Sequence, residues 1–166
     1  MCRWSDANVY KYSTTSVTYG SAARTTSRSI ALATPGSTTL AASNFTYTGL
    51  GNPADMMVGD TWEKVGRSSG WTAGAIANVC TDEYFTGYYL SCQTLVNLTS
   101  MHGDSGSGVF LWDGNGSYNI TFSGILAGAT VWDHNDSNGN GVFSQIYMQI
   151  YPNIEVDFGD YFTVHP

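Results

Sequence analysis

Residues 101–110, MHGDSGSGVF, combine residue types that could perform acyl-transfer chemistry. Ser105 stands between Asp104 and Gly106, and the apolar residues that follow indicate a buried strand. Glycines let a backbone turn sharply and direct amide N–H groups towards one point. Two such groups beside a serine hydroxyl could form an oxyanion hole, which stabilises the transition state of acyl transfer. Clusters of Ser and Gly are also ordinary in turns between strands, so this motif alone leaves both interpretations open.

The elements that must position this motif are short strands. Alternating or apolar runs bounded by turn residues predict six strands, at 61–65, 71–79, 88–98, 108–112, 118–126 and 142–150. Their close spacing, with glycines at the bends, predicts a small antiparallel barrel. Residues 13–58 are rich in Ser, Thr, Ala and Gly and predict a connector with short strands near 29–32 and 45–48. No segment shows a convincing helical period.

Composition limits the function classes. The 166 residues suffice for one domain, and 42% are hydrophobic but only 11% are charged. A net charge of −7 with six scattered basic residues disfavours a nucleic-acid partner, because phosphate binding needs clustered Lys and Arg. No run of 18 apolar residues exists, so the sequence predicts no membrane span.

The chain has an odd number of cysteines, Cys2, Cys80 and Cys92. Cys80 and Cys92 bracket a segment that could be a hairpin closed by a disulfide, which would fit an exported protein. Cys2 is then left over, which indicates that its partner lies in sequence outside this chain.

Residues 103–110 resemble the nucleophile motif of chymotrypsin-like serine proteases, especially the secreted bacterial type. Three further segments match that family in order. Ser5-Asp6-Ala7 resembles the segment that carries the triad aspartate. Residues 64–74, KVGRSSGWTAG, resemble the first strands of the second barrel, and residues 124–128, GILAG, resemble the segment that lies against bound substrate. Cys80 and Cys92 also fall where some members carry a hairpin disulfide.

The resemblance implies a role for each matching residue. Ser105 would be the nucleophile, and its own N–H with that of Gly103 would form the oxyanion hole. Asp6 would orient the catalytic histidine. Asp104 would be buried and would pair with Arg67 to hold the loop in its active shape, so Arg67→Ala should collapse the loop.

The family's layout also predicts the primary specificity pocket. The residues assigned to substrate binding are Thr99, Ser100, Leu126, Ala127, Gly128 and Gly141. Apart from Asp104, which is assigned to the ion pair of the loop, no acidic residue lies just upstream of Ser105, which argues against a preference for Arg or Lys and favours a neutral pocket of modest size. A preference for acidic side chains assisted by His102, at the rim of the pocket, is a minor alternative to an exposed His102 in a loop. His134 and His165 are expected to be solvated.

One departure from the family is plain, because its histidine precedes the aspartate in sequence and no histidine precedes Asp6. We therefore expect an all-β C-terminal portion of such a protease. Residues 1–12 would be a remnant strand of the first barrel, 13–58 the interdomain connector, and 59–166 the second barrel, an antiparallel six-stranded Greek-key barrel. Its partner would be the missing N-terminal barrel, which carries the histidine, and residues 1–166 alone should lack efficient peptidase activity.

The function expected from these matches is a secreted serine endopeptidase that acts on polypeptides without a cofactor. Residues 136–141, DSNGNG, match the opening of a calcium loop, but its twelfth position is Tyr147 where a bidentate Glu is needed, so no metal is predicted. Two alternatives are a catalytically inactive homologue that serves as a binding module and a carbohydrate-binding β-domain with a Tyr- and Trp-rich surface. The set of Asp6, Arg67 and residues 103–106 favours the protease over the carbohydrate-binding domain.

Overall fold

Antiparallel strands dominate the computed structural model, which describes residues 2–3, 21–29, 36–85 and 87–158. The strands are β1 (Cys2–Arg3), β2 (Ser21–Ala22), β3 (Arg28–Ser29), β4 (Phe45–Leu50), β5 (Thr61–Gly66), β6 (Gly70–Phe85), β7 (Tyr88–Asn97), β8 (Ser100–Met101), β9 (Gly108–Trp112), β10 (Asn119–Asn135) and β11 (Gly141–Ile150). One helix, α1 (Tyr151–Phe158), follows β11. Among the described residues, no helix is long and apolar enough to cross a bilayer.

Six of these strands close into a barrel. The hydrogen-bonded order is β9-β5-β6-β7-β11-β10, and β10 also pairs with β9, which completes the ring. Every pairing in the ring is antiparallel. In the ring, β7 lies beside β11 and β9 lies beside β5, so these neighbours are not consecutive in the sequence. This is a Greek-key order. The predicted all-β, six-stranded antiparallel barrel is therefore confirmed.

Apolar side chains from all six barrel strands fill the interior. The main cluster consists of Trp62, Ile76, Val96, Leu98, Val109, Leu126, Ile146, Met148 and Ile150. Successive side chains of a strand point to opposite faces, so each strand contributes alternate residues to this interior. The barrel therefore supplies a rigid frame for the loop that carries Ser105.

The segment predicted to be a connector packs against the outside of the barrel. Strand β4 pairs in parallel with β10, and its first residue, Phe45, is fully buried. The Phe45 ring meets Trp71 edge-on at 4.9 Å between ring centroids and lies 4.8 Å from Phe110. The strand predicted at 45–48 is thus confirmed and extends to Leu50.

Other boundaries differ from the sequence analysis in instructive ways. Strands β6 and β10 continue to Phe85 and Asn135, beyond the predicted ends at 79 and 126. The last part of β10 is largely exposed, and strands with solvent on both faces lose the alternating pattern that identifies them. Helix α1 was missed because eight residues are too few to show a helical period. The predicted domain limits at residues 12 and 58 remain predictions.

Candidate active site

The loop between β8 and β9, residues 102–107, holds the serine motif at one end of the barrel. Gly103 adopts a φ of +97° and Gly106 a φ of +85°, conformations that residues with a Cβ rarely adopt. A Cβ on Gly103 would also lie 2.6 Å from Ser68 Oγ. Ser105 lies exposed between these glycines. Both glycines are thus required by the path of the backbone around Ser105.

The amide groups of this loop divide into two sets. The N–H of Asp104 donates to Met101 O at 3.1 Å, that of Gly106 donates to Leu126 O at 2.9 Å, and that of Ser107 donates to Asp104 O at 3.0 Å. The N–H groups of Gly103 and Ser105 have no acceptor within the part of the chain that the structure describes. The two amides predicted to form an oxyanion hole therefore make no hydrogen bond to the described residues.

Asp104 anchors the loop from the inside of the protein, where its side chain is fully buried. Lys64 Nζ lies 3.0 Å from Asp104 Oδ2, and Ser69 Oγ donates to the same oxygen at 2.5 Å. The backbone N–H of Met101 donates to Oδ2 at 2.9 Å, and those of Ser68 and Ser69 donate to Oδ1 at 2.8 and 3.1 Å. Buried carboxylates need this degree of pairing, and it ties the backbone on the N-terminal side of Ser105 to the turn between β5 and β6.

The predicted ion pair between Asp104 and Arg67 is wrong, because Lys64 supplies the cation. Arg67 lies in the turn between β5 and β6 and is exposed, lining a separate cavity of about 460 Å³. Lys64 lies on β5, and Trp62, Lys64 and Gly66 are all buried at a spacing of two residues. Strand alternation places Lys64 on the same face as Trp62 and Gly66, but Glu63 on the opposite face is buried as well.

Burial and pairing set the ionisation of this pair. Burial alone would raise the pKa of Asp104, but the Lys64 ammonium and the hydrogen bonds from Ser69, Met101 and Ser68 outweigh it and hold the pKa below its ordinary value. Burial lowers the pKa of Lys64, and the Asp104 carboxylate offsets only part of that effect. Asp104 is the partner held more firmly in its charged form, because it has four further donors and Lys64 has only Ser69 Oγ besides Asp104.

A pocket of about 200 Å³ opens beside Ser105. It is lined by Ser100, Met101, His102, Ser105, Leu126, Gly128, Ala129 and Phe143. Three of the residues predicted for substrate binding, Ser100, Leu126 and Gly128, are thus brought together with Ser105. The sequence analysis assigned no pocket role to Phe143.

The other three predicted substrate-binding residues do not line this pocket. Thr99 is buried, and its carbonyl accepts a hydrogen bond from Thr72 Oγ1 at 2.9 Å. Ala127 lies where the register of β10 against β11 shifts, between the pairs Leu126–Met148 and Gly128–Tyr147. Gly141 lies just behind the lining, where a Cβ would meet Phe143 at 3.5 Å and His102 at 3.7 Å.

Several predicted features lie away from this pocket. Asp6 and His165 fall outside the described residues. His134 pairs with Asp133 at 3.1 Å on the β10–β11 hairpin. The predicted disulfide between Cys80 and Cys92 is confirmed and links β6 to β7. In the loop considered for calcium, Asp136 Oδ1 instead accepts from the N–H groups of Asn138 and Asn140, both at 2.8 Å.

Comparisons with known proteins place the fold among chymotrypsin-like serine proteases. Thermobifida fusca protease A is 20% identical with a TM-score of 0.52, covering 71% of this chain and 54% of its own. Cellulomonas bogoriensis chymotrypsin is 17% identical with a TM-score of 0.52, covering 71% of this chain and 55% of its own. A glutamic acid-specific serine protease that uses a novel histidine triad in substrate binding is 17% identical with a TM-score of 0.58. The match covers 90% of this chain and 63% of that protease.

The chain therefore has a chymotrypsin-like β-barrel and spans between about half and two thirds of the length of these structures. No family model and no curated protein sequence matches it.

Proposed function

We propose that the loop around Ser105 is the nucleophile and oxyanion-hole portion of a serine endopeptidase site that acts on polypeptides. The observation that supports this most is the pair of available amides, those of Gly103 and Ser105, beside an exposed serine hydroxyl. The buried Lys64–Asp104 pair holds both amides in place before any substrate arrives. Donors fixed in advance are what stabilises charge developing on a carbonyl oxygen.

The reaction would proceed through an acyl-enzyme. Ser105 Oγ attacks the carbonyl carbon of the peptide bond while a general base accepts its proton. The carbonyl oxygen becomes negative and accepts hydrogen bonds from the N–H groups of Gly103 and Ser105. When the C–N bond breaks, the amine leaves with the proton from the base. Water then attacks the ester in the same manner, which releases the acid and restores Ser105.

The general base would come from the N-terminal barrel of a complete protease, with Asp6 orienting it. The chain spans only 54% and 55% of two of the similar proteases, which supports the presence of a further part in the complete enzyme. The Cys80–Cys92 disulfide supports a secreted protein, since disulfides persist in oxidising compartments. Residues 1–166 alone would then bind a transition-state analogue but turn substrate over poorly, because loss of a triad member leaves only weak catalysis.

A peptide boronic acid tests the proposal without requiring turnover. Boron accepts Ser105 Oγ, the hydroxyl proton passes to solvent, and the tetrahedral product places an oxygen at the Gly103 and Ser105 amides. We expect acetyl-Ala-Ala-boroalanine to form this adduct, detected by ¹¹B NMR, and Ser105→Ala to weaken binding by about a hundredfold or more.

Ser137→Ala is the matched control, because Ser137 is an exposed loop serine on the β10–β11 hairpin. It should bind the boronate as the original chain does. Equal binding by Ser105→Ala, or absence of a tetrahedral adduct with the original chain, would refute the proposed nucleophile. The second result would favour a binding module without catalytic chemistry.

A further inference from the structure

Three asparagines in exposed turns of the barrel are each followed directly by a glycine. Asn115 lies in the turn between β9 and β10, and Asn138 and Asn140 lie in the turn between β10 and β11. At an Asn-Gly pair, the backbone nitrogen of the glycine can attack the side-chain carbonyl carbon of the asparagine. Glycine obstructs this attack least, because it has no Cβ. The three pairs share the same reacting groups, so a difference between their rates comes from the fold.

The β10–β11 turn holds its two Asn-Gly pairs through Asp136. Besides the backbone N–H groups that Asp136 Oδ1 accepts, Oδ2 accepts from Asn140 Nδ2 at 3.1 Å. The N–H of Gly139, which would have to attack Asn138, donates to Asp136 O at 3.0 Å. Gly141, which follows Asn140, is the first residue of β11 and pairs with β10. Reaction at either pair therefore requires this turn to open first.

The β9–β10 turn places no such restraint on Asn115 and Gly116. Both residues are exposed. The Asn115 side chain and the Gly116 N–H make no hydrogen bond to any residue that the structure describes. The hydrogen bonds of this turn use other groups, since the Asp113 carboxylate accepts from the Asn115 N–H at 3.3 Å and from the Ser117 hydroxyl at 2.6 Å. Neither reacting group has a hydrogen bond to lose.

We propose that Asn115 is a site of spontaneous deamidation and isomerisation, which reacts ahead of Asn138 and Asn140. The Gly116 nitrogen gives its proton to hydroxide and bonds to Asn115 Cγ. The Cγ–Nδ2 bond then breaks, and the nitrogen leaves as ammonia after taking a proton from water. Water opens the resulting succinimide at either carbonyl, giving aspartate or isoaspartate, so the net reaction consumes one water and releases one ammonia. The inference is independent of the proposed function.

The product changes both the charge and the backbone of the β9–β10 turn. A carboxylate at position 115 adds one negative charge to a chain of net charge −7, two residues from Asp113. Isoaspartate also lengthens the main chain by one methylene. Ser117 closes this turn through its hydroxyl, bound to Asp113, and through its carbonyl, which accepts from Trp112 Nε1 at 2.7 Å. Reacted molecules should therefore separate by ion exchange, and isoaspartate should disturb these hydrogen bonds.

Incubation in H₂¹⁸O followed by peptide mapping tests the order of reaction. The purified chain is held at mildly alkaline pH, and the three sites are quantified by mass spectrometry at successive times. Each succinimide that opens during the incubation takes up one ¹⁸O atom, which distinguishes new product from product already present. We expect Asn115 to react at least about tenfold faster than Asn138 and Asn140, because each of those sites must first lose a hydrogen bond.

Two comparisons show whether the fold sets this order. In guanidinium chloride that unfolds the chain, the three sites should react at similar rates. Asp136→Ala removes the carboxylate that restrains the β10–β11 turn, so Asn140 should react faster, towards the rate of Asn115, which should stay unchanged. Asn115→Gln is the matched control at the site itself, because glutamine would have to close a larger ring. It should abolish the fast reaction and leave the other two sites as they are.

The outcomes that would overturn the inference are distinct. It fails if Asn138 or Asn140 reacts in the folded chain as fast as Asn115, or if Asn115 takes up no ¹⁸O. It also fails if Asn115 remains the fastest site by the same factor in guanidinium chloride, since the fold would then not be the cause.

Discussion

Replacement of Lys64 by methionine tests the role assigned to the buried ion pair. Methionine approximates the length of the lysine stem but carries no charge. The change leaves the Asp104 carboxylate fully buried without its counter-ion. We expect Lys64→Met to lower the free energy of unfolding substantially and to disorder the loop around Ser105.

The magnitude follows from what remains around Asp104. Removing one partner of a buried ion pair costs about 3–5 kcal/mol. Asp104 keeps four donors, the N–H groups of Met101, Ser68 and Ser69 and the Ser69 hydroxyl, so we expect the lower end, about 3 kcal/mol. Single domains are stable by only about 5–15 kcal/mol, so this loss is easily measured.

The assay is urea denaturation, with boronate binding as a readout of the loop. Arg67→Met is the matched control, since Arg67 lies three residues after Lys64, in an exposed turn, and the change also removes one positive charge. Substitutions at such surface positions change the free energy of unfolding by about 0.5 kcal/mol or less. The double variant Lys64→Met with Asp104→Asn removes both charges and should recover part of the loss, because no unpaired charge then remains.

The pH dependence provides an independent check on the same pair. The pKa of Asp104 is depressed in the folded state, so its ionised form stabilises the fold above the unfolded pKa of about 3.9, and this contribution is lost as the pH falls through the folded pKa. Lys64 is the strongest influence that lowers this pKa. In Lys64→Met the pKa of Asp104 should therefore rise, so the stability lost on acidification should be smaller than in the original chain.

The reasoning would be refuted if Lys64→Met cost less than about 1 kcal/mol while Arg67→Met cost more. Such a result would restore Arg67 as the partner that the resemblance implied. If the free energy of unfolding of Lys64→Met depended on acidic pH as that of the original chain does, the cause assigned to the depressed pKa of Asp104 would be contradicted.

Three further perturbations test other parts of the structure. Gly103→Ala should cost about 1–3 kcal/mol in urea denaturation because a side chain is strained at φ +97°, and unchanged stability and boronate affinity would contradict this. Serine at both Cys80 and Cys92 should cost about 3 kcal/mol through loop-closure entropy over a separation of 12 residues; an unchanged denaturation midpoint would exclude it. Arg28→Gln leaves the buried Glu63 without the cation at 2.5 Å. Burial already raises the pKa of Glu63, so this variant should lose about 1–3 kcal/mol, and the loss should grow as the pH rises through that pKa. A loss that shrinks with rising pH would show that Glu63 is not the affected group.

The barrel was predictable because its strands are half-buried and their sequences alternate. Strand alternation did not identify Lys64 as the buried cation, because Glu63 on the opposite face of β5 is buried as well. The resemblance of residues 64–74 to the family assigned the cation to Arg67 instead. Lys64 can be buried on β5 because it pairs with Asp104, which is 40 residues away in the sequence. The sequence around Lys64 therefore does not reveal this contact.

The pocket was predictable only in part. Ser100, Leu126 and Gly128 follow from the order of the segments around Ser105. Phe143 lies on β11 and reaches the pocket because it pairs with Ser100 on β8. This register depends on the closed barrel. His102 was placed at the rim by its position beside Gly103, but its contact with Phe143 required the structure.

The parallel pairing of β4 with β10 has a consequence for the synthesis of the chain. Leu50 pairs with Phe122, so 72 residues separate the partners. At a translation rate of about 5–20 residues per second, β4 waits roughly 4–14 s for its partner to be made. During that interval β4, whose Phe45 ring is buried in the finished protein, lacks the strand β10 that it pairs with. The nascent chain therefore exposes an aromatic strand, and a slowly translated message should favour aggregation or recruitment of a chaperone.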